Sequence, residues 1–310
     1  MSISYRGRLA PSPTGYLHLG HARTFWVAWQ RARFALGTLV LRNLVLRNLV
    51  LRNEDLDFQR CKPEFLSAMY EDLRWLGLTW NEGPDLGGPF APYSQSERRG
   101  FYLDAWRKLR DGGFIYPCTC SRKDLERALS APHEDAEAGA HANSDDELPY
   151  PGTCRNKIGA AAHYDSPTGV SWRFKVPDGE AVSFADKYFG KQQFIAGSDF
   201  SDFLLWRRDD IPAYQLAVVV DDASMQITEV VRGADLLKST ARQLLLIRAL
   251  GYSTPDYFHC PLLRDEKNVR LAKRHDALSL RTLRAQGMDP AALRKKFAEE
   301  IEWDRGLFKL

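Results

Sequence analysis

Residues 6–37 constrain the fold more than any other part of the sequence. They read as a short strand that ends at Leu9 and Ala10, then a turn rich in Pro and Gly, then an amphipathic helix from about His21. Such a turn brings backbone N–H groups and a helix N-terminus to one point, where they can bind phosphate. The sequence therefore predicts an α/β fold with an anion-binding turn near its N-terminus.

Two later apolar runs are associated with acidic residues and favour buried parallel strands. Residues 39–42 precede the acidic group at 54–57, and residues 216–222 end in two aspartates. Continuous Val and Leu are typical of strands covered on both faces, and ligands gather where such strands end. Periodicity predicts further strands at 170–176 and 182–184 and helices at 63–76, 96–110, 240–250 and from 278 onward.

The pentapeptide LVLRN occurs three times in tandem, at residues 39–43, 44–48 and 49–53. Three buried strands cannot run end to end through one position of a sheet, and repeat architectures have longer periods. We therefore expect a single copy, the last, to form the strand.

Two histidines three residues apart, His18 and His21, lie in the predicted turn and at the start of its helix. At this spacing both imidazoles can face one point, where N–H donors would stabilise charge on a pentacoordinate phosphate. A capped surface helix with two incidental histidines gives the same pattern when the motif stands alone. The residues around the pair decide between the two interpretations.

Residues 8–21, RLAPSPTGYLHLGH, resemble the HIGH signature of class I aminoacyl-tRNA synthetases in its glutamyl form. The resemblance implies that this turn binds ATP and catalyses adenylate formation. The residues it implies for ATP binding are Gly15, His18, Gly20, His21 and Lys273, and those for catalysis are His18, His21 and Lys273.

Lys273 belongs to the segment RLAKR at residues 270–274, which stands where the family carries its second signature, the KMSKS loop. Arg270 and Ala272 depart from that pattern, while the second Lys is kept. A Lys at this point neutralises the leaving pyrophosphate. Alone, the segment would be a basic surface turn.

Further blocks of the glutamyl branch stand at residues 52–57, 213–222 and 229–236, so the resemblance covers most of the chain. Glutamate has two carboxylates and one ammonium, which guanidinium groups and an acid complement. The residues that the resemblance implies for glutamate binding are Arg8, Leu9, Ala10, Pro11, Ser12, Glu54, Tyr214 and Arg232. Ordinary ion pairs at the end of a strand are the alternative for residues 52–57.

Three clustered cysteines, Cys118, Cys120 and Cys154, supply one thiolate fewer than a tetrahedral structural zinc site needs. Ordinary zinc chemistry nominates His133 or His141 as the fourth ligand. The resemblance points instead to Tyr150, from its spacing to Cys154. Reduced thiols without any metal are the remaining alternative.

The resemblance implies a Rossmann-type catalytic domain, split by an inserted zinc-containing module that resembles an acceptor-binding module and followed by a short helical region that contacts the RNA stem. The corresponding boundaries are 1–115 and 207–256 for the two catalytic halves, 116–206 for the module, and 257–310 for the Lys loop and the helical region.

Composition limits the partners only weakly. The net charge is +3, from 43 Lys and Arg against 40 Asp and Glu, so RNA binding depends on local groups, of which Arg155, Lys157, Arg207 and Arg208 are candidates. No apolar run of about 18 residues and no signal peptide are present, which favours a cytoplasmic protein without membrane contact. We expect a monomer that uses ATP with Mg²⁺.

The sequence continues for 36 residues after Arg274, whereas glutamyl-tRNA synthetases continue with a large anticodon-binding region. The resemblance therefore favours the branch of the family that activates glutamate without tRNA and attaches it to queuosine in the anticodon of tRNA(Asp). The alternatives are a truncated glutamyl-tRNA synthetase that charges a tRNA 3′ end and a non-catalytic tRNA-binding relative.

Overall fold

The computed structural model describes residues 5–34, 48–121, 123–125, 149–263 and 279–301. Its helices are α1 (Leu19–Phe34), α2 (Pro63–Trp75), α3 (Arg99–Asp111), α4 (Tyr214–Ser224), α5 (Leu237–Leu250), α6 (Leu280–Ala285) and α7 (Pro290–Glu300). Its strands are β1 (Arg6–Leu9), β2 (Asn48–Leu51), β3 (Ile115–Cys118), β4 (Ser171–Phe174), β5 (Ala181–Asp186), β6 (Gly190–Ile195), β7 (Phe203–Trp206), β8 (Glu229–Gly233) and β9 (Asp256–Cys260). The predicted strand, turn and helix at the N-terminus are confirmed, as are the helices near 63–76, 96–110 and 240–250. None of the described helices is long and apolar enough to cross a membrane.

β1 and β2 are parallel and pair from Arg6 opposite Asn48 to Leu9 opposite Leu51. Apart from Asn48, β2 lies within the last LVLRN copy, so a strand in this copy is confirmed. Residues 39–47 of the first two copies lie outside the described residues, so the prediction that only one copy forms a strand stays a prediction. The strand predicted at residues 39–42 lies outside the described residues.

A second sheet has the strand order β6-β5-β9-β8. β8 and β9 are parallel, from Glu229 opposite Asp256 to Gly233 opposite Cys260, while β5 and β6 form an antiparallel hairpin. The N–H of Thr228, just before β8, donates to the carbonyl of Arg6 at 2.9 Å. This bond places the β1–β2 pair beside β8.

A third, antiparallel sheet has the order β3-β4-β7. The strand predicted at 170–176 is β4, and the one predicted at 182–184 lies in β5. β5 and β6 fall within the range 116–206 of the predicted module, yet β5 pairs with β9 where Asp186 lies opposite Tyr257. The division into domains stays a prediction.

The prediction of a buried parallel strand at residues 216–222 is wrong, because these residues lie in α4. Residues 215–222 are all buried, since α4 packs against α3, α5 and β7. A helix that is covered on all sides is apolar without a break, as a buried strand is. The correction matters for the site, because successive helix residues point about 100° apart and Asp221 and Asp222 therefore contact different partners.

The two largest apolar clusters of the described residues form most of the core. One surrounds Trp106, Trp172 and Trp206 and includes residues of α4 and α5, and the other surrounds Trp26 and includes residues of β1, β2 and α7. Asp222 of α4 forms ion pairs with arginines in β1 and just after β2. Charged groups are thus buried where elements of the two clusters meet.

The C-terminal helices pack back onto the N-terminal unit. The N–H of Leu280 donates to the carbonyl of Leu17 at 2.7 Å, and Ser279 pairs with His18 in an isolated antiparallel bridge. α7 packs against α1. Within residues 279–301, the stretch predicted to be helical from residue 278 onward forms α6 and α7, and residues 302–310 lie outside the described residues.

Candidate active site

The predicted phosphate turn lies between the end of β1 and the start of α1. The N–H of Arg52 donates to the carbonyl of Leu9 at 2.9 Å, and the N–H of Glu54 donates to the carbonyl of Pro11 at 3.0 Å, which extends the parallel pairing beyond β1. Glu54 is thereby brought to the turn. Of the residues predicted here for glutamate binding, Leu9 and Pro11 are buried, Ala10 is partly buried and Ser12 is exposed.

His18 and His21 stack at the N-terminus of α1. Their ring centroids are 3.8 Å apart and the ring planes are 30° from parallel. His18 Nδ1 accepts from the N–H of Gly20 at 3.1 Å, so a neutral imidazole carries its proton on Nε2 and can donate it to a ligand. The structure thus brings together the two histidines that the sequence predicts to be catalytic.

Gly20 has a steric reason to be glycine. A Cβ atom there would lie 2.9 Å from Cε1 and 3.1 Å from Nδ1 of His18, closer than non-bonded atoms pack at about 3.5 to 4.0 Å. Any side chain at this position would displace the imidazole. At Gly15 a Cβ atom would meet nothing within 4 Å, so the turn is open on that side.

Asp222 is the centre of a buried ion-pair network. Its Oδ1 accepts from Arg52 Nη1 at 2.6 Å and from Arg8 Nε at 3.3 Å. Arg52 is fully buried and also donates through Nη2 to Glu54 Oε1 at 2.9 Å. Because unpaired charges at this depth are strongly unfavourable, these groups balance one another before any ligand binds. We call Arg8, Arg52, Glu54 and Asp222 the Asp222 network.

The carboxyl groups of this network have shifted pKa values. Burial disfavours ionised Asp222, but the guanidinium groups of Arg52 and Arg8 outweigh burial and lower the pKa of this carboxyl. For Glu54, burial prevails over the attraction of Arg52 and raises the pKa. A ligand ammonium beside Glu54 would favour its ionised form.

Arg232 of β8 is fixed by side chains of α5 and β9. Nη1 donates to Gln243 Oε1 at 2.8 Å, Nη2 to Thr240 Oγ1 at 2.6 Å and Nε to His259 Nε2 at 3.2 Å. All four residues are buried. No sequence motif singles out these three partners, because their role depends on tertiary contacts between separate elements.

Arg8, Glu54 and Arg232 converge on Asp222. Arg8 Nη1 donates at 2.9 Å to the carbonyl of Val231, the neighbour of Arg232, whose charge also acts on Asp222. Among the described residues, Arg8 Nη2 has no hydrogen-bond partner. The charges of Arg8, Arg232 and Glu54 are therefore all coupled electrostatically to Asp222. Two guanidinium groups and one carboxylate suit a ligand with two carboxylates and an ammonium.

Of the other predicted residues, Tyr214 lies at the surface and Lys273 lies outside the described residues. Tyr214, the first residue of α4, is 38% exposed, and Tyr214 and Arg232 both act electrostatically on Tyr257. Tyr214 therefore lies near the Arg232 end of the site. Lys273 and the rest of the predicted Lys loop lie outside the described residues.

Cys118, Cys120 and Cys154 gather at the end of β3, with their Sγ atoms within 4.8 Å of one another. The hydroxyl of Tyr150 lies 3.4 Å from Cys118 Sγ and 3.9 Å from Cys120 Sγ. Around a tetrahedral zinc with Zn–S bonds of about 2.3 Å, ligating sulfurs lie ~3.8 Å apart, so this cysteine cluster fits zinc. The other candidates for the fourth ligand, outside the described residues, are His133 and His141.

The groups of the cysteine cluster do not titrate alike. Burial opposes ionisation of Cys154, but hydrogen bonds from Thr119 and Tyr150 lower its pKa to about 6. Burial raises the pKa of the Cys120 thiol to about 11. It also raises the pKa of the Tyr150 hydroxyl well above its ordinary value. A divalent cation would favour ionisation of the remaining donors.

Two of the four basic residues predicted to meet phosphates are held by acids. Arg155 is ion-paired with Asp178 and lies 3.2 Å from Asp202. Arg207 donates to both carboxylate oxygens of Asp209, at 2.9 and 2.5 Å. These ion pairs favour a structural role for both arginines.

The other two basic residues flank the cysteine cluster. Lys157 Nζ donates to Thr119 Oγ1 at 3.4 Å, and Arg208 Nη2 donates to the Thr119 carbonyl at 2.6 Å. Thr119 stands between Cys118 and Cys120. Two cations therefore lie at the tip of the segment that carries two of the thiols.

Comparison with known proteins gives matches over nearly the whole chain. The family described as tRNA synthetases class I (E and Q), catalytic domain, matches residues 4–299. The glutamyl-Q tRNA(Asp) synthetase of Nitratidesulfovibrio vulgaris is 47% identical over 289 residues, which cover 93% of this chain and 83% of that protein. The glutamate–tRNA ligase 2 of Acidithiobacillus ferrooxidans is 40% identical over 299 residues, which cover 96% of this chain and 58% of that protein.

Solved structures show the same architecture. The glutamate-tRNA synthetase from Elizabethkingia anophelis superposes with a TM-score of 0.71 at 29% identity, over 87% of this chain and 53% of that one. A glutamate tRNA ligase from Elizabethkingia meningosepticum, in complex with its amino acid, gives a TM-score of 0.70 over 87% of this chain and 52% of that one. The chain spans about half the length of these solved relatives.

Proposed function

Because this chain belongs to the class I tRNA synthetases of the E and Q type, a family of ligases, we propose that it activates L-glutamate with ATP and transfers it to queuosine in the anticodon of tRNA(Asp). Activation proceeds without tRNA and gives glutamyl-adenylate. The observation that carries this proposal is the convergence of Arg8, Glu54 and Arg232 on Asp222. Their charges complement the two carboxylates and the ammonium of glutamate.

In the proposed complex, Arg8 and Arg232 bind the two carboxylates and Glu54 binds the ammonium. Residues 9–12 and Tyr214 complete the pocket. Asp222 stays ionised and holds Arg8 in place, so Nη2 of Arg8 is left to meet the ligand. The pocket is thereby preorganised, and binding requires little rearrangement of its charges.

The turn before α1 binds ATP in this proposal, through Gly15, Gly20 and the two histidines. An α-carboxylate oxygen of glutamate attacks the α-phosphorus, an acyl–phosphate bond forms, and the bond to the bridging oxygen of pyrophosphate breaks. His18 donates from Nε2 to the developing charge, and His21 lies against it. Lys273 and the Mg²⁺ that accompanies ATP neutralise the departing pyrophosphate.

The names of the relatives favour queuosine as the acceptor. Two glutamyl-Q tRNA(Asp) synthetases are 47% identical to this chain, against 40% for the glutamate–tRNA ligase 2 of A. ferrooxidans. We assign residues 1–115 and 207–256 to the catalytic halves, 116–206 to an RNA-binding module, and 257–310 to the Lys loop and the helices that contact the RNA stem. Lys157 and Arg208 are the phosphate contacts that the structure favours.

One structural zinc completes the proposal, held by Cys118, Cys120, Tyr150 and Cys154. When bound, it supplies no chemistry to glutamate and fixes the segment that Lys157 and Arg208 contact. Elemental analysis of protein purified without chelator is expected to find about one zinc per chain. Protein free of zinc would overturn this assignment.

Exchange of labelled pyrophosphate into ATP, without tRNA, tests the activation step. We expect exchange that requires L-glutamate, and we expect Lys273→Ala to lower kcat by about 100- to 1000-fold, as loss of an oxyanion donor does. Lys296→Ala is the matched control, since Lys296 is an exposed lysine of α7. Absence of exchange would contradict activation, and an unchanged kcat in Lys273→Ala would contradict the role of the Lys loop.

Charging of defined RNAs tests the acceptor. Transfer requires the acceptor hydroxyl near the adenylate carbonyl, and RNA is commonly read through unstacked bases. We expect tRNA(Asp) with queuosine to accept glutamate and the unmodified transcript to refuse it. Periodate oxidation of the 3′-terminal diol, with the queuosine diol protected, is expected to leave charging intact. Efficient charging of unmodified tRNA(Glu) at its 3′ end would instead support a truncated glutamyl-tRNA synthetase.

A further inference from the structure

The geometry of Arg232 depends on a chain of buried groups that starts at Asp186 of β5. Oδ2 of Asp186 accepts from the backbone N–H of His259 at 3.0 Å and lies 2.6 Å from His259 Nδ1. Oδ1 accepts from the backbone N–H groups of Tyr188 and Phe189 at 3.0 and 2.8 Å. Both oxygens are thus held by donors, which stabilises the ionised carboxylate.

Ionised Asp186 fixes the tautomer of His259. A carboxylate can only accept, so Nδ1 of His259 carries the proton and the neutral ring presents a lone pair at Nε2. That lone pair faces Arg232 Nε at 3.2 Å and Thr240 Oγ1 at 3.1 Å. Burial lowers the pKa of His259 to about 4, so the ring is neutral at pH 7.

The contacts of Arg232 leave little freedom for its guanidinium. Of its five N–H groups, His259 and oxygen acceptors within residues 236–243 engage four, the longest contact being 3.5 Å to the carbonyl of Leu236. One N–H on Nη1 is left for a ligand. The orientation of the guanidinium plane therefore decides where this last donor points.

We propose that Asp186 and His259 are positioning residues that set the affinity of Arg232 for a carboxylate of the substrate. Without an acceptor at Nε, the guanidinium keeps only its contacts at Nη1 and Nη2, so its plane can tilt and the remaining donor changes direction. This inference rests on the proposed function, because it takes Arg232 to be a ligand of glutamate.

Two substitutions at His259 separate the roles of its ring nitrogens. His259→Gln places an amide oxygen where Nε2 lies and keeps an acceptor for Arg232. His259→Asn places an amide nitrogen near Nδ1, keeps a donor for Asp186 and removes the acceptor. In pyrophosphate exchange we expect His259→Asn to raise the KM for glutamate about tenfold or more, since a hydrogen bond to a charged group is lost. The kcat and the KM for ATP are expected to change little, and His259→Gln to restore most of the affinity.

Cys260→Ala is the matched control, because Cys260 follows His259 in β9, is equally buried and packs in the apolar cluster around Trp26. It removes core volume without removing a partner of Arg232, so we expect a lower Tm and an unchanged KM for glutamate. An unchanged KM in His259→Asn would overturn the proposal. Equal losses in all three variants would also overturn it, because they would show a packing role alone.

The NMR signals of the histidine ring nitrogens in ¹⁵N-labelled protein separate failure of this inference from failure of the proposed function. The signals of His259 are those that disappear in His259→Gln. Protonated Nδ1 with unprotonated Nε2 at pH 7 supports the chain, and protonated Nε2 overturns it. If the wild-type protein shows no glutamate-dependent exchange, the proposed function has failed, and this measurement alone decides whether His259 presents an acceptor to Arg232.

Discussion

The Asp222 network and the cysteine cluster reach a balance of charge by different routes. In the network both signs of charge come from the chain, with Arg52 2.6 Å from Asp222 and 2.9 Å from Glu54. In the cysteine cluster three thiols and a phenol face one another, and the neighbouring basic side chains contact Thr119. The network is therefore organised without a ligand, whereas the cluster is a set of donors that a cation would complete.

This difference predicts that removing one charge from the Asp222 network will lower the stability of the protein more than any change at the cysteine cluster. Arg52→Met leaves Asp222 and Glu54 buried without their main cation, which should lower the free energy of unfolding by about 3 to 5 kcal/mol. Urea unfolding at pH 7 measures the loss. Arg60→Met is the matched control, because the side chain of Arg60 is 62% exposed, and it should change stability little. A loss as small as that of the control would show that the network does not depend on Arg52.

Lowering the pH tests the buried charges separately from the cysteine cluster, because it protonates His259, a partner of Arg232, whether or not a metal is bound. Burial lowers the pKa of His259 to about 4, and Asp186, Arg232 and Asp235 are the charged groups that act on it. The unfolded chain takes up this proton near pH 6.5, so the unfolded state binds more protons as the pH falls and the fold loses about 3 kcal/mol by pH 4.

Urea unfolding between pH 6.5 and 4 measures this loss, in chelator so that release of metal does not contribute. His259→Gln cannot titrate at this position and should lose less stability over the same range. Equal pH dependence in the two proteins would contradict the assignment to His259.

The smallest expected effect is at the cysteine cluster. The hydroxyl of Tyr150 accepts from the N–H of Cys154 at 2.8 Å, so Tyr150→Phe should cost about 1 kcal/mol through that bond alone. Zinc should also leave the variant at a lower chelator concentration. Tyr164→Phe is the control, since Tyr164 packs on Trp172 away from the thiols. Zinc held equally by both variants would show that Tyr150 is not a ligand.

The parts that could be predicted from sequence are those with a local pattern. The turn that ends in His21, the helix that follows it and the last LVLRN copy each depend on a short stretch of residues. Residues 216–222 were predicted as a strand because a helix buried on every side shows no periodicity. Asp186, Gln243 and His259 carry no local signal, since each acts through a partner from another element.

The bonds between β1 and distant residues have a consequence for the order of synthesis. Arg6 is bonded to Thr228, Arg8 to Asp222 and Leu17 to Leu280, so these three N-terminal residues leave the ribosome well before their partners are made. Contacts of such long sequence separation form slowly and late. A nascent chain therefore carries the HLGH segment for most of its translation before that segment can take its final place.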